Sequence, residues 1–113
     1  MTLNEYQEAT SRTYGGKNGN WELELATLAL GAAGEAGEAA DYVKKVIGHG
    51  HPMDRSELAK ELGDALWYLA RLAAHIGFDL ETVAQWNIDK LAKRYPAGFS
   101  REASLARVDV EGQ

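Results

Sequence analysis

Four acidic residues carry the most pointed chemistry in this sequence. Glu35 and Glu38 stand three residues apart in GEAGEAAD, and Glu61 and Asp64 repeat that spacing in KELGDALWYLA. On a helix, residues three apart share one face and lie one turn apart. Asp41 continues the first row, while Glu57 precedes the second and Tyr68 follows it. Like charges at this spacing repel, so an isolated helix gains nothing from them. Both pairs are set among Ala, Gly and Leu, which predicts partial burial. A partly buried carboxylate must be protonated, paired with a base or bound to a cation. The nearest bases, Lys44, Lys45 and Lys60, can serve only a minority of these acids.

If the two helices pack antiparallel, the four carboxylates converge and a hard divalent cation is their natural occupant. Mg²⁺ favours oxygen ligands and keeps positions open for water and phosphate oxygens, with Mn²⁺ as a substitute. No His falls at helical spacing from these acids, which disfavours a di-iron site built on Glu-x-x-His. The competing reading makes them solvated acids on two amphipathic helices. One such pair would favour it, but two pairs on consecutive long helices do not.

The elements that must position these acids are helical. Thr2 with Glu5 forms a capping box, predicting a first helix from Leu3 to Thr13. The Gly- and Asn-rich run YGGKNGN then breaks the chain, and Asn20 caps a second helix from Trp21 to about Ile47, with Gly48 as its left-handed cap. Asp54 with Glu57 predicts a second capping box and a third helix from Arg55 to Ile76, closed by Gly77. Asp79 caps a fourth helix from Leu80 to Arg94, stopped by Pro96, and a short helix follows Ser100. No segment alternates with period two, so no strand is expected. The reading is an all-α fold of four to five helices, bundle-like and mostly antiparallel. One domain spans 1–113, with a helix and Gly-rich loop over 1–19 and a tail over 97–113.

The third helix is apolar on two sides. One side carries Leu58, Leu62, Leu66, Leu69, Leu72 and Ile76; the other carries Gly63, Trp67, Ala70 and Ala74. So small a domain cannot cover both, which predicts a homo-oligomer, dimer or tetramer. Gly31, Gly34 and Gly37 each cost a helix about 1 kcal/mol relative to Ala, so close approach or a ligand is expected beside them. A break into two shorter helices is the alternative.

Composition narrows the function classes. Of 113 residues, 45% are hydrophobic, so the chain is not disordered by composition. A net charge of −5 argues against a nucleic-acid partner. The absence of cysteine excludes thiolate zinc sites and a Cys nucleophile. The polar N-terminus does not read as a signal peptide, and no apolar run is long enough for a membrane span, so a cytoplasmic home is expected.

GEAGEAAD followed by KELGDALWYLARLA resembles the E-x-x-E … E-x-x-D signature of the MazG-like nucleoside triphosphate pyrophosphohydrolases. Twenty-two residues separate Glu38 from Glu61, which suits that family's helix–loop–helix. NIDKLAKRYPAGFS looks like its fourth-helix segment ending in a basic-Tyr-Pro motif. The resemblance spans about Trp21 to Ser104. It implies hydrolysis of a nucleoside triphosphate between the α and β phosphates, giving monophosphate and pyrophosphate. It also implies Glu35, Glu38, Glu61 and Asp64 as metal ligands and Tyr68 against base or sugar. Asn87, Lys90, Arg94 and Tyr95 would contribute phosphate or base contacts.

A carboxylate not fully used as a ligand can take a proton from the attacking water, and Glu38 is the candidate. Lys90 and Arg94, one turn apart, suit a phosphate tail, although they equally suit a helix C-terminus. Asn87 is expected on the inward face between Ala84 and Leu91, where its amide needs a partner. Among the tryptophans, Trp21 is the candidate for stacking on a base, because it adjoins the Gly/Asn loop. His49 and His51 read as exposed connectors, and His75 as a partner of its helix dipole. Two alternatives stand beside this reading: a phosphoribosyl-ATP pyrophosphohydrolase, and a non-catalytic helical dimerisation module.

Overall fold

The computed structural model describes residues 1–109. Those residues form five α-helices: α1 Leu3–Thr10, α2 Trp21–His49, α3 Arg55–His75, α4 Leu80–Arg94 and α5 Arg101–Ala106. A 3-10 turn, Ser11–Thr13, follows α1, so the first helix tightens in its last turn instead of continuing as α-helix to Thr13.

The caps explain most boundaries. The Thr2–Glu5 box is complete, with Thr2 N donating to the Glu5 carboxylate at 2.8 Å and Glu5 N donating to Thr2 Oγ1 at 3.0 Å. Asn20, Asp79 and Ser100 each accept from a backbone N–H three residues on. The second box does not form. Asp54 accepts from Ser56 instead, and Glu57 pairs with Lys60. Helix α2 also runs past Gly48, which stays helical; the left-handed cap is Gly50, at φ 70°. Its three inner glycines do not break it.

Helices α2 and α3 form the principal packed pair. Gly31 lies against Tyr68 near one end of the pair, and Tyr42 Oη bonds the backbone of Asp54 near the other, so the two helices run antiparallel. Helices α1 and α4 gather on α3, and α5 packs on α4. Leu28, Ala70, Ala73 and Leu80 are buried. On α3 it is thus the small-residue side that α1 covers, while the leucine stripe is open: Leu62 is 58% and Leu69 49% exposed. Ile88 of α4 is 58% exposed, whereas Ala84, Leu91 and Tyr95 are partly buried. No helix among the described residues is long and apolar enough to cross a membrane.

One buried amide ties three elements together. Gln7 of α1 donates from Nε2 to the carbonyls of Ala70 at 3.2 Å and Phe78 at 3.0 Å, and accepts from Leu80 N at 2.9 Å. Removing it leaves the buried Leu80 N–H without its side-chain acceptor, at about 1–3 kcal/mol, and takes one bond each from the Ala70 and Phe78 carbonyls, at about 0.5–1.5 kcal/mol apiece. Gln7→Ala is therefore expected to lower unfolding free energy by about 2–4 kcal/mol, read from urea denaturation.

Candidate metal centre

The antiparallel pairing of α2 with α3 sets the acids opposite one another. One turn from the Gly31–Tyr68 contact, Glu35 on α2 meets Asp64 and Glu61 on α3. One carboxylate oxygen from each of the three lies within 4.8 Å of the others. Glu35 and Glu61 are half-buried and Asp64 is exposed. Glu38 is exposed and stands outside this focus, although its charge still acts on Glu35.

Bases do not neutralise the cluster. Lys44 and Lys45 both bind Asp41, at 2.8 and 3.0 Å, and hold its carboxyl down at about 2. Lys60 binds Glu57 at 3.0 Å. Among the described residues, no ion pair reaches Glu35, Glu38, Glu61 or Asp64. Partial burial, reinforced by repulsion from Asp64, Glu61 and Glu38, pushes the Glu35 carboxyl above the ordinary carboxylate range. A cation relieves that repulsion, and the donor set suits a hard one. All its atoms are carboxylate oxygens, the donors that Mg²⁺ prefers.

A cavity of about 270 Å³ adjoins the acids. Glu35, Asp64, Tyr68, Trp67 and Thr13 line it. Trp67 and Thr13 are additions that the acid spacing alone did not single out. Trp67 is three residues beyond Asp64, so helical period puts it on the same side of α3. Thr13 arrives by tertiary contact. Its hydroxyl accepts from Trp67 Nε1 at 2.8 Å, while Arg71 of α3 donates to Thr10 Oγ1 and Gln7 O, both at 2.7 Å.

The remaining candidates fall elsewhere. Trp21 is 54% exposed and stacks on His75 at 4.9 Å, and the His75 ring lies 2.9 Å from the Trp21 carbonyl. His75 thus engages α2. Asn87 is exposed, contrary to its expected inward position: α4 rests on α1 and α3, with Leu80 at its start packed beside Ala70, Ala73 and Tyr6. Lys90 is exposed. Arg94 is clamped by Asp109, with Nη2 2.8 Å from Oδ2, and the Tyr95 ring meets Phe99 at a 46° tilt, centroids 5.3 Å apart. No hydrogen bond or ion pair joins these four α4-end residues to the acid cluster among the described residues.

Comparison with known proteins agrees with this architecture. Residues 23–99 match the MazG nucleotide pyrophosphohydrolase domain. The Gene 37 protein of Mycobacterium phage L5 is 39% identical over 105 residues, which cover 87% of this chain and 92% of that protein. Human dCTP pyrophosphatase 1 is 36% identical over 93 residues, covering 75% of this chain and 55% of its own length. Its rat counterpart is 32% identical over 99 residues, covering 80% and 58%. The chain thus spans little more than half the length of these mammalian relatives. No solved structure matches it. The matched span takes in both acid pairs and the whole of α3 and α4, and the chain belongs to the MazG nucleotide pyrophosphohydrolase family of hydrolases.

Proposed function

We propose that this protein is a Mg²⁺-dependent pyrophosphohydrolase that cleaves a nucleoside or deoxynucleoside triphosphate between its α and β phosphates. One observation carries the reading: three carboxylates of α2 and α3 converge, and among the described residues no ion pair reaches them. Family membership and the mammalian relatives named for dCTP support it and put dCTP first among substrates to try.

Glu35, Glu61 and Asp64 would hold Mg²⁺ on the α2–α3 face, with Glu38 as a further ligand or as the base. When bound, the ion supplies the positive charge that lets an acidic site take a triphosphate, and it polarises the phosphoryl group. Glu38 is the acid left outside the three-residue focus, so its carboxylate is free to accept a proton. A water oxygen bonds to the α-phosphorus while the bond to the α–β bridging oxygen breaks. The water's proton passes to Glu38, and pyrophosphate leaves with the bond's electron pair. Tyr68, one turn from Asp64, walls the cavity where the nucleoside sugar or base lies.

We assign phosphate contact on α4 to Asn87 and Lys90, and base contact to Trp21, all three exposed. Arg94 and Tyr95 are already engaged by Asp109 and Phe99, which weakens their case. A second copy of the chain gives the open leucines a partner: Leu30, 72% exposed on α2, and the α3 stripe are too apolar to favour water. The functional form is accordingly a homo-oligomer, a dimer or tetramer.

The test is a panel of ribo- and deoxynucleoside triphosphates incubated with Mg²⁺, with products separated by ion-exchange chromatography. Pyrophosphate and monophosphate are expected in equal amounts, and chelation of the metal abolishes them. Release of orthophosphate with a nucleoside diphosphate, or no turnover of any nucleotide, contradicts the reading. Turnover of phosphoribosyl-ATP, added to the panel, and of nothing else would favour the phosphoribosyl-ATP pyrophosphohydrolase alternative.

A further inference from the structure

We infer that Gly31 is a positioning residue for substrate: its missing side chain seats the Tyr68 ring and thereby sets the width of the cavity beside Glu35 and Asp64. The inference rests on the proposed function only in naming a nucleotide as the occupant.

The sequence makes Gly31 an anomaly, since glycine inside a helix costs about 1 kcal/mol relative to Ala. The other interior glycines of α2 give no steric reason for their presence. A Cβ built at Gly34, Gly37 or Gly48 meets nothing within 4 Å. At Gly31 a Cβ would lie 2.7 Å from Tyr68 Cζ and closer still to Cδ1 and Cε1. Carbon atoms in contact sit about 3.5–4.0 Å apart, so the ring must move if any side chain is added.

The ring has few places to go. Trp67 meets it edge-on, with centroids 4.9 Å apart at 81°, and Trp67 is itself held by its bond to Thr13. The α2 backbone lies on the Gly31 side. The open direction is the 270 Å³ cavity, whose lining includes Tyr68, Trp67, Glu35 and Asp64. That volume is below the roughly 300–1,000 Å³ of a whole ligand site, so it suits one part of a nucleotide. The part joined to the α-phosphate is the pentose. A displaced Tyr68 ring would occupy the space of that sugar, while the acids one turn away keep their places on both helices.

The experiment compares Gly31→Ala, Tyr68→Leu, the double variant Gly31→Ala/Tyr68→Leu, and the control Gly48→Ala, whose Cβ meets nothing. Steady-state kinetics on the best nucleotide of the panel are measured with Mg²⁺. Calorimetry measures Mn²⁺ binding, then binding of a deoxycytidine α,β-methylene triphosphate in the presence of Mn²⁺. Gly31→Ala is expected to raise KM about tenfold or more, with kcat and the Mn²⁺ Kd each changed less than threefold. The double variant should match Tyr68→Leu alone, because the contact it would disturb has gone. Wild-type KM in Gly31→Ala overturns the inference, as does an equal penalty from that change with or without the Tyr68 ring. Should Gly31→Ala fail to fold, a folded double variant with the KM of Tyr68→Leu supports the inference, and an unfolded one overturns it. If the wild type binds the analogue but turns over no nucleotide, the proposed function falls and Gly31 is judged on the analogue's Kd. A wild type that does neither overturns both.

Discussion

Asp64→Asn and Glu61→Gln are each expected to lower kcat/KM for the best nucleotide by about 10³-fold or more. That factor corresponds to roughly 4 kcal/mol of lost transition-state stabilisation. Each change removes the negative charge from one of three carboxylates whose oxygens lie within 4.8 Å of one another, leaving a weaker amide donor for a dication. Among the described residues neither side chain makes an ion pair, so both variants should keep wild-type helicity. Glu57→Gln provides the contrast. Glu57 lies a turn before Glu61 on α3 but is bound to Lys60 on the surface, so its loss should change kcat/KM less than threefold. Steady-state assays with saturating Mg²⁺ across the three variants decide the matter.

Glu35→Gln has an effect of opposite sign on the metal-free and metal-loaded protein. Burial and the neighbouring acids raise the Glu35 carboxyl above its unfolded value. Between the unfolded and folded values the native state binds more protons than the unfolded one. Stability of the metal-free protein therefore falls as pH rises through that window and stays reduced at neutral pH. Gln carries no charge to repel, so metal-free Glu35→Gln should melt above the metal-free wild type at pH 7. The two should converge below the ordinary carboxylate range. Added Mn²⁺ reverses the order. At a concentration of about 100 times Kd it stabilises the wild type by roughly 2.7 kcal/mol, and it should leave the variant's melting temperature unmoved. Thermal melts of both proteins at pH 3 and pH 7, with and without Mn²⁺, check these shifts.

The central pair of helices was legible because helical period and caps are local. Thr2, Asn20, Asp79 and Ser100 announce their helices by side-chain bonds that span three residues. The spacing of Glu35 from Glu38, and of Glu61 from Asp64, fixes a shared face once the helices exist. What failed to read through depends on neighbours distant in sequence. Periodicity found two apolar sides on α3 but could not rank them, since that choice belongs to α1 and the Gln7 amide that reaches Ala70. Asn87 was misplaced for the same reason: α4 docks with Leu80 beside Ala70 and Ala73, and a residue pattern alone does not say where a helix is met. Thr13 enters the cavity only because the 3-10 turn delivers it to Trp67. Gly31 was visible as an anomaly, but its reason became clear only with the Tyr68 ring laid against it. Lys44 and Lys45 could have neutralised the cluster by sequence distance, yet both chose Asp41, one turn away on their own helix.

The account stands on carboxylates left without cationic partners until a dication arrives. Titrating the metal-free protein with Mn²⁺, and following the free ion by electron paramagnetic resonance, tests this without any substrate. Wild type should take up the ion saturably, and Asp64→Asn and Glu61→Gln should each weaken that uptake at least a hundredfold. Uptake by the wild type no tighter than by either variant would contradict it.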